Sequence, residues 1–101
     1  MEDMERCIME LVVNGGNVRS MAIEALRAAG DGRFDEAHEK MKEAEETITQ
    51  AHNMQTSLIQ KELNGEKIEG GLLMIHAQDH LMNAMTVMDL AREMIEILQK
   101  R

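Results

Sequence analysis

At 101 residues with a formal net charge of −8, the chain is predicted to be one domain, residues 1–101, whose acidic balance excludes nucleic acid or an anionic membrane and suits a basic partner. A single cysteine, Cys7, excludes an internal disulfide, the opening MEDMERCIME lacks the regions of a secretory signal, and no apolar run approaches the ~20 residues of a membrane span, so a cytoplasmic protein is expected. With no Pro, Trp or Tyr, one Phe and 11 Met, its apolar residues are mostly Leu, Ile, Met and Ala, which favours an all-α fold.

Two breaks, AAGDGRF around Gly30 to Gly32 and NGEKIEGG from Asn64 to Gly71, divide the sequence into three segments of helical pattern. In the first, Met4, Ile8, Leu11, Val12, Val18, Met21, Ala22, Ala25 and Leu26 keep helical spacing across NGGN, so Gly15 and Gly16 are placed inside the helix. They cost about 1 kcal/mol each there relative to Ala, and a kink or a close helix contact is the expected reason for them. The second segment, Phe34 to Leu63, carries a narrow apolar stripe of Phe34, Ala37, Met41, Ala44, Ile48, Ala51, Met54 (or Gln55) and Leu58, backed by charges such as Glu39, Lys42, Glu43 and Glu46. Short connections predict an antiparallel three-helix bundle running up, down and up.

The third segment carries two stripes. One reads Met74, Ala77, Leu81, Ala84, Met88, Ala91, Ile95, Leu98; the other reads Leu73, His76, His80, Asn83, Val87, Leu90, Met94, Ile97. Two adjacent stripes make a face too wide for one pair of partner helices. The expectation is therefore that another copy of the chain covers part of it, with the third helix as the oligomer interface.

A polar cluster lies on the second stripe and its border: His76, Gln78, Asp79 and His80. His76 and His80, with Asp79 between, have a spacing that suits a metal ion, although His38 and His52 are not placed to complete a zinc site. The same residues fit core-edge histidines satisfied by hydrogen bonds to Asn83, Gln78 and Asp79. They also fit a nucleophilic imidazole that takes a phosphoryl group, with His80 and Gln78 as neighbours. In that case Gln78, which points away from His76 within one helix, serves through a second chain. Phosphoryl transfer needs chiefly positioning and charge stabilisation, so a bundle without a cleft can perform it. Ser20, Ser57, Thr47 and Thr86 lack base and acid partners nearby in sequence, Cys7 sits among apolar residues, and no glycine-rich phosphate loop is present.

The stretch LLMIHAQDHLMNAM followed by DLAREMIEIL, preceded by VVNGGNVRSMAIEALRAAGDGRFDEAHEKMKEAEETITQAHNMQTSLIQ, resembles the lactose/cellobiose-specific enzyme IIA family of the bacterial sugar phosphotransferase system, including its diacetylchitobiose members. The likeness runs from about Met9 to Leu98; HAQDHLM is its specific motif, and NGGNVRSMAIEAL and GDGRFDEA fall in the family's order and spacing. The chain is expected to start close to its first helix, without the N-terminal extension that some members carry. The resemblance implies a homotrimer assembled around the third helices. It implies that His76 is phosphorylated by the histidine-containing phosphocarrier protein and passes the group to a cysteine of enzyme IIB. It also implies that Asp79 of each subunit meets its copies on the trimer axis, where the family can hold a metal. Three buried carboxylates repel, so a divalent cation or protonation has to neutralise them, and ligation by oxygen alone suits magnesium. The rival is a non-enzymatic acidic interaction module with structural histidines. The sugar is not expected to be legible, because the membrane component binds it; the sequence leans towards the cellobiose/chitobiose branch.

Overall fold

The computed structural model describes residues 2–101, with side chains from Met4 onward, so Met1 of the expected domain lies outside the described residues. Among the described residues are three helices and no strand: α1 (Glu2–Gly30), α2 (Phe34–Leu63) and α3 (Gly71–Gln99). The boundaries fall at the two glycine-bearing breaks read from the sequence, and α1 passes through Gly15 and Gly16 without interruption. Helices of 29 to 30 residues are about 44 Å long at 1.5 Å per residue, which makes the chain a rod of 51 × 21 × 19 Å.

Charge placement and glycine explain where the helices begin and stop. Asp35 and Glu36 occupy the first turn of α2 and Lys61 its last, while Arg27 stands in the last turn of α1, each complementing the helix dipole. α1 and α2 end in the same hydrogen-bonded motif. At the end of α1, Gly32 N–H donates to the Ala29 carbonyl at 3.0 Å and Arg33 N–H to the Ala28 carbonyl at 2.8 Å. At the end of α2, Gly65 and Glu66 donate in the same way to Glu62 and Lys61. Each motif turns on a residue of positive φ, 80° at Gly32 and 94° at Gly65, where a Cβ is strained.

The helices run up, down and up. Along α2 and α3, residue numbers rise in one helix as they fall in the other: His38 hydrogen-bonds Gln99 at 2.8 Å, Glu45 pairs with Arg92 at 3.4 Å, and Gln55 donates to Gln78. α1 and α3 are therefore parallel, and Gly15 lies against His80. α1 is the hub, packed far more extensively on α2 and on α3 than those two are on each other. Where α2 and α3 meet, polar bridges supply much of the contact. Pairs as exposed as Glu45–Arg92 contribute about 0.2–1 kcal/mol each, so the apolar seams against α1 carry the stability.

Those seams are the stripes read from the sequence. Ile8, Leu11, Val18, Ala22 and Ala25 of α1, Ala37, Met41, Ala44, Ile48, Ala51 and Leu58 of α2, and Ala77, Leu81, Ala84, Met88, Ala91 and Ile95 of α3 are all buried. On α2 the alternative between Met54 and Gln55 falls to Gln55, which is buried, because Gln78 accepts its amide hydrogen bond and removes the cost of burying it. The second stripe of α3 stays largely outside: Leu73, Leu90, Met94 and Ile97 are exposed in the protomer.

Gly32→Ala is expected to lower the unfolding free energy by about 1 kcal/mol, because it forces a Cβ into the left-handed region. Gly30→Ala, helical and with nothing within 4 Å of an added Cβ, is expected to keep or raise it. Urea unfolding of the two variants at matched protein concentration checks the contrast.

Candidate functional site

The HAQDH segment forms the second turn of α3, and helix geometry sends its side chains in different directions. Ala77, fully buried, faces the core, and Leu81 one turn later does the same. His76 and Asp79 are exposed, and His80 is half-buried. The imidazoles of His76 and His80 meet edge to face, with centroids 4.3 Å apart and planes inclined by 69°. The two histidines of the motif are therefore brought together as a pair.

The pair opens on two different surfaces. His76 lies in a shallow open depression with Leu72, Leu73, Ile75 and Asp79, where Leu72 and Ile75 are 81% and 66% exposed. His80 turns instead to a groove along α1, lined by Gly16, Arg19, Ser20, Ile23, Glu24 and Arg27. Ser20, left without a partner by the sequence, shares that groove with His80, although no hydrogen bond joins them. The parallel register of α1 and α3 brings these groups together across about 60 residues of chain, so no local pattern could have announced it.

Gln78 stands apart from the pair. It faces α2, where it accepts a hydrogen bond from the Gln55 amide, and its own amide lies 3.7 Å from the Met74 sulfur. Within its own chain it is a helix-bridging residue. Asp79 has no ion pair among the described residues, and it stands at the apolar depression with His76. Among the described residues no three His, Cys, Asp or Glu side chains gather in a way that could hold a metal ion. A single protomer thus offers one carboxylate to a cation, and any metal ligation by His76, Asp79 and His80 together is not formed within the chain.

The remaining candidates lie elsewhere. His38 is bound to Gln99, about 34 Å along α3 from His76 at the helical rise, and His52 is exposed on α2. The Thr86 hydroxyl bonds the Met82 carbonyl of its own helix at 3.2 Å. Burial pushes the Cys7 thiol above its ordinary value and Glu10 adds to this, with Lys61 opposing, so Cys7 is a poor thiolate.

The depression at His76 is open, so its exposed imidazole is accessible to the surface of another protein. No described helix is long and apolar enough to cross a membrane. The comparisons agree with this geometry. The sequence model of the "PTS system, Lactose/Cellobiose specific IIA subunit" matches residues 6–99. The chain is 54% identical to the lichenan-specific phosphotransferase enzyme IIA component of Bacillus subtilis, over 98% of this chain and 90% of that one. It superposes on the cellobiose-specific enzyme IIA of Bacillus anthracis with a TM-score of 0.93 and 51% identity, covering 99% of this chain and 92% of that one. Against the IIA component in the solution structure of the chitobiose IIA–HPr complex of Escherichia coli the TM-score is 0.79 at 35% identity, covering 96% and 94%. The chain belongs to the lactose/cellobiose-specific IIA family of the bacterial phosphotransferase system.

Proposed function

We propose that His76 is the phosphoryl carrier of this protein: it accepts a phosphoryl group from the histidine-containing phosphocarrier protein and donates it to a cysteine of enzyme IIB in the cytoplasm. The observation that carries the reading is an exposed imidazole in the family's motif, steadied edge-on by a second imidazole 4.3 Å away. The unprotonated ring nitrogen of His76 attacks phosphorus; the P–N bond to the donor breaks as the new P–N bond forms. In the second step that bond breaks as a P–S bond forms on enzyme IIB. Both steps displace one nucleophile by another at phosphorus, so positioning and charge stabilisation supply the catalysis. His80 donates an N–H to the phosphoryl oxygens. Any share taken by Gln78 comes from a neighbouring subunit. The family relative bound to HPr supports the donor.

The transported sugar is proposed to be a β-linked disaccharide, of the cellobiose/chitobiose or the lactose kind. The relatives named above differ in their stated sugar, lichenan, cellobiose or chitobiose, as expected of a component that handles only the phosphoryl group.

The working assembly is proposed to be a homotrimer around α3. Leu73, Leu90, Met94 and Ile97 give this helix an uncovered apolar face, and burial at about 25 cal/mol per Å² rewards covering it. Three copies of Asp79 on the axis would then repel, and a hard divalent cation such as magnesium, bound by oxygen ligands from several chains, relieves the repulsion. With one carboxylate per protomer, this cation site depends wholly on the assembly.

His76→Ala is expected to abolish labelling when the chain is incubated with phosphoenolpyruvate and the upstream phosphocarrier proteins, while leaving the oligomer intact. Labelling at the native rate moves the carrier to another residue, and an unlabelled native chain favours the acidic interaction module. His80→Ala is expected to fold and to accept the group about tenfold more slowly, the worth of one charge-assisted hydrogen bond; an unchanged rate removes His80 from the chemistry. Asp79→Leu is expected to strengthen the trimer and free it from divalent metal, because it removes three like charges and adds apolar area. Ultracentrifugation with and without chelator reads this: a native trimer indifferent to chelator, with a Leu variant that dissociates, places Asp79 off any shared axis.

A further inference from the structure

Gly15 is buried in the middle of α1, flanked on the same face by Leu11 and Val18, neither of them exposed. A Cβ added at Gly15 would stand 3.1 Å from the carbonyl carbon of His80, 3.1 Å from its oxygen and 3.3 Å from its Cβ. The neighbouring Gly16 and the terminal Gly30 of the same helix have nothing within 4 Å of such an atom. Glycine is unfavourable in a helix interior, and at Gly15 alone does the space require it.

We infer that Gly15 is a positioning residue of the phosphoryl-transfer site: its missing side chain lets α1 seat directly on the α3 backbone at His80 and so sets where the histidine pair stands. The inference rests on the reading of His76 as the phosphoryl acceptor. The contact is to backbone, which cannot swing aside as the tip of a long side chain can. On either side of it the close-packed core transmits a displacement instead of absorbing it. A Cβ at Gly15 moves the α3 turn at His80 outward by a few tenths of an ångström. His80 bears the shift first, and His76 follows because it lies one helical turn away with its ring at 4.3 Å. Transfer between two proteins through one imidazole is sensitive to displacements of that size.

Gly15→Ala is compared with Gly30→Ala, which makes the same chemical change in α1 at an open position outside the site. Transfer from the phosphorylated phosphocarrier protein is followed at saturating donor, and the ring signals of all four histidines are read by NMR without any donor. Expected for Gly15→Ala are transfer about tenfold slower within the complex, unchanged apparent affinity, and ring signals that move for His76 and His80 while His38 and His52 keep theirs. Gly30→Ala is expected to match the native chain in rate and spectra. A native rate in Gly15→Ala, unmoved His76 and His80 signals, or an equal loss in Gly30→Ala overturns the inference. Should Gly15→Ala unfold alone, it is repeated in the Gly30→Ala background, whose added helix propensity offsets lost stability; failure to fold there makes Gly15 a folding residue only and overturns the inference as well. A native chain that is never phosphorylated on His76 defeats the transfer reading instead, while the ring signals still report on the Gly15 contact.

Discussion

Everything in this fold depends on how closely its three helices approach. Of the 19 buried apolar residues among the described ones, ten are alanines, spread over all three helices. Alanine is the best helix former, and its single methyl lets neighbouring axes draw together, since interaxial distance follows the size of the side chains at the contact. The larger buried residues, Ile8, Leu11, Val18 and Leu81 among them, interleave with this seam and fill what the methyls leave. At Gly15 even a methyl is too much, and backbone rests on backbone. A narrow core of this kind gives a slender rod and leaves the second apolar stripe of α3, Leu73, Leu90, Met94 and Ile97, on the outside.

The histidine pair follows from the same constraint. α3 spends one stripe, from Ala77 to Ile95, on α1 and α2, and keeps a second stripe uncommitted. His76 sits where that second stripe begins, beside Leu72, Leu73 and Ile75, and His80 sits where the two stripes meet α1. The site therefore combines rigidity from the buried side with access from the open one. The acidic surface elsewhere keeps such a chain soluble and favours basic partners.

Much of this was legible in the residues. The helix boundaries stood out because Gly30, Gly32, Gly65, Gly70 and Gly71 interrupt patterns that are otherwise unbroken, and the three-four alternation of α3 predicted its buried residues. HAQDHLM pointed to the family, which the match over residues 6–99 shows. The rest was hidden for physical reasons. Gln55 competes with Met54 for the core, and apolarity favours the wrong one until the Gln78 partner on another helix is known. The same bond turns Gln78 towards α2, which spacing along α3 could not reveal. Gly15 reads as a kink or a close helix contact, with nothing in the sequence to name its partner. That the contact is with the His80 backbone appears only across 65 positions of sequence, once α1 and α3 are seen to lie in parallel register.

The uneven packing of the bundle also sets an order of opening. α2 is anchored chiefly on one side, by α1, and its other edge meets α3 through a few polar bridges such as His38–Gln99 and Glu45–Arg92. Releasing α2 exposes one apolar seam, whereas separating α1 from α3 breaks the densest one. Local excursions under native conditions are therefore expected to begin in α2, and the seam between α1 and α3, the helix that bears both imidazoles, to part last. On this packing α1 and α3 are expected to form the cooperative unit of highest protection, with α2 a lateral brace whose fluctuations leave the His76–His80 pair in place.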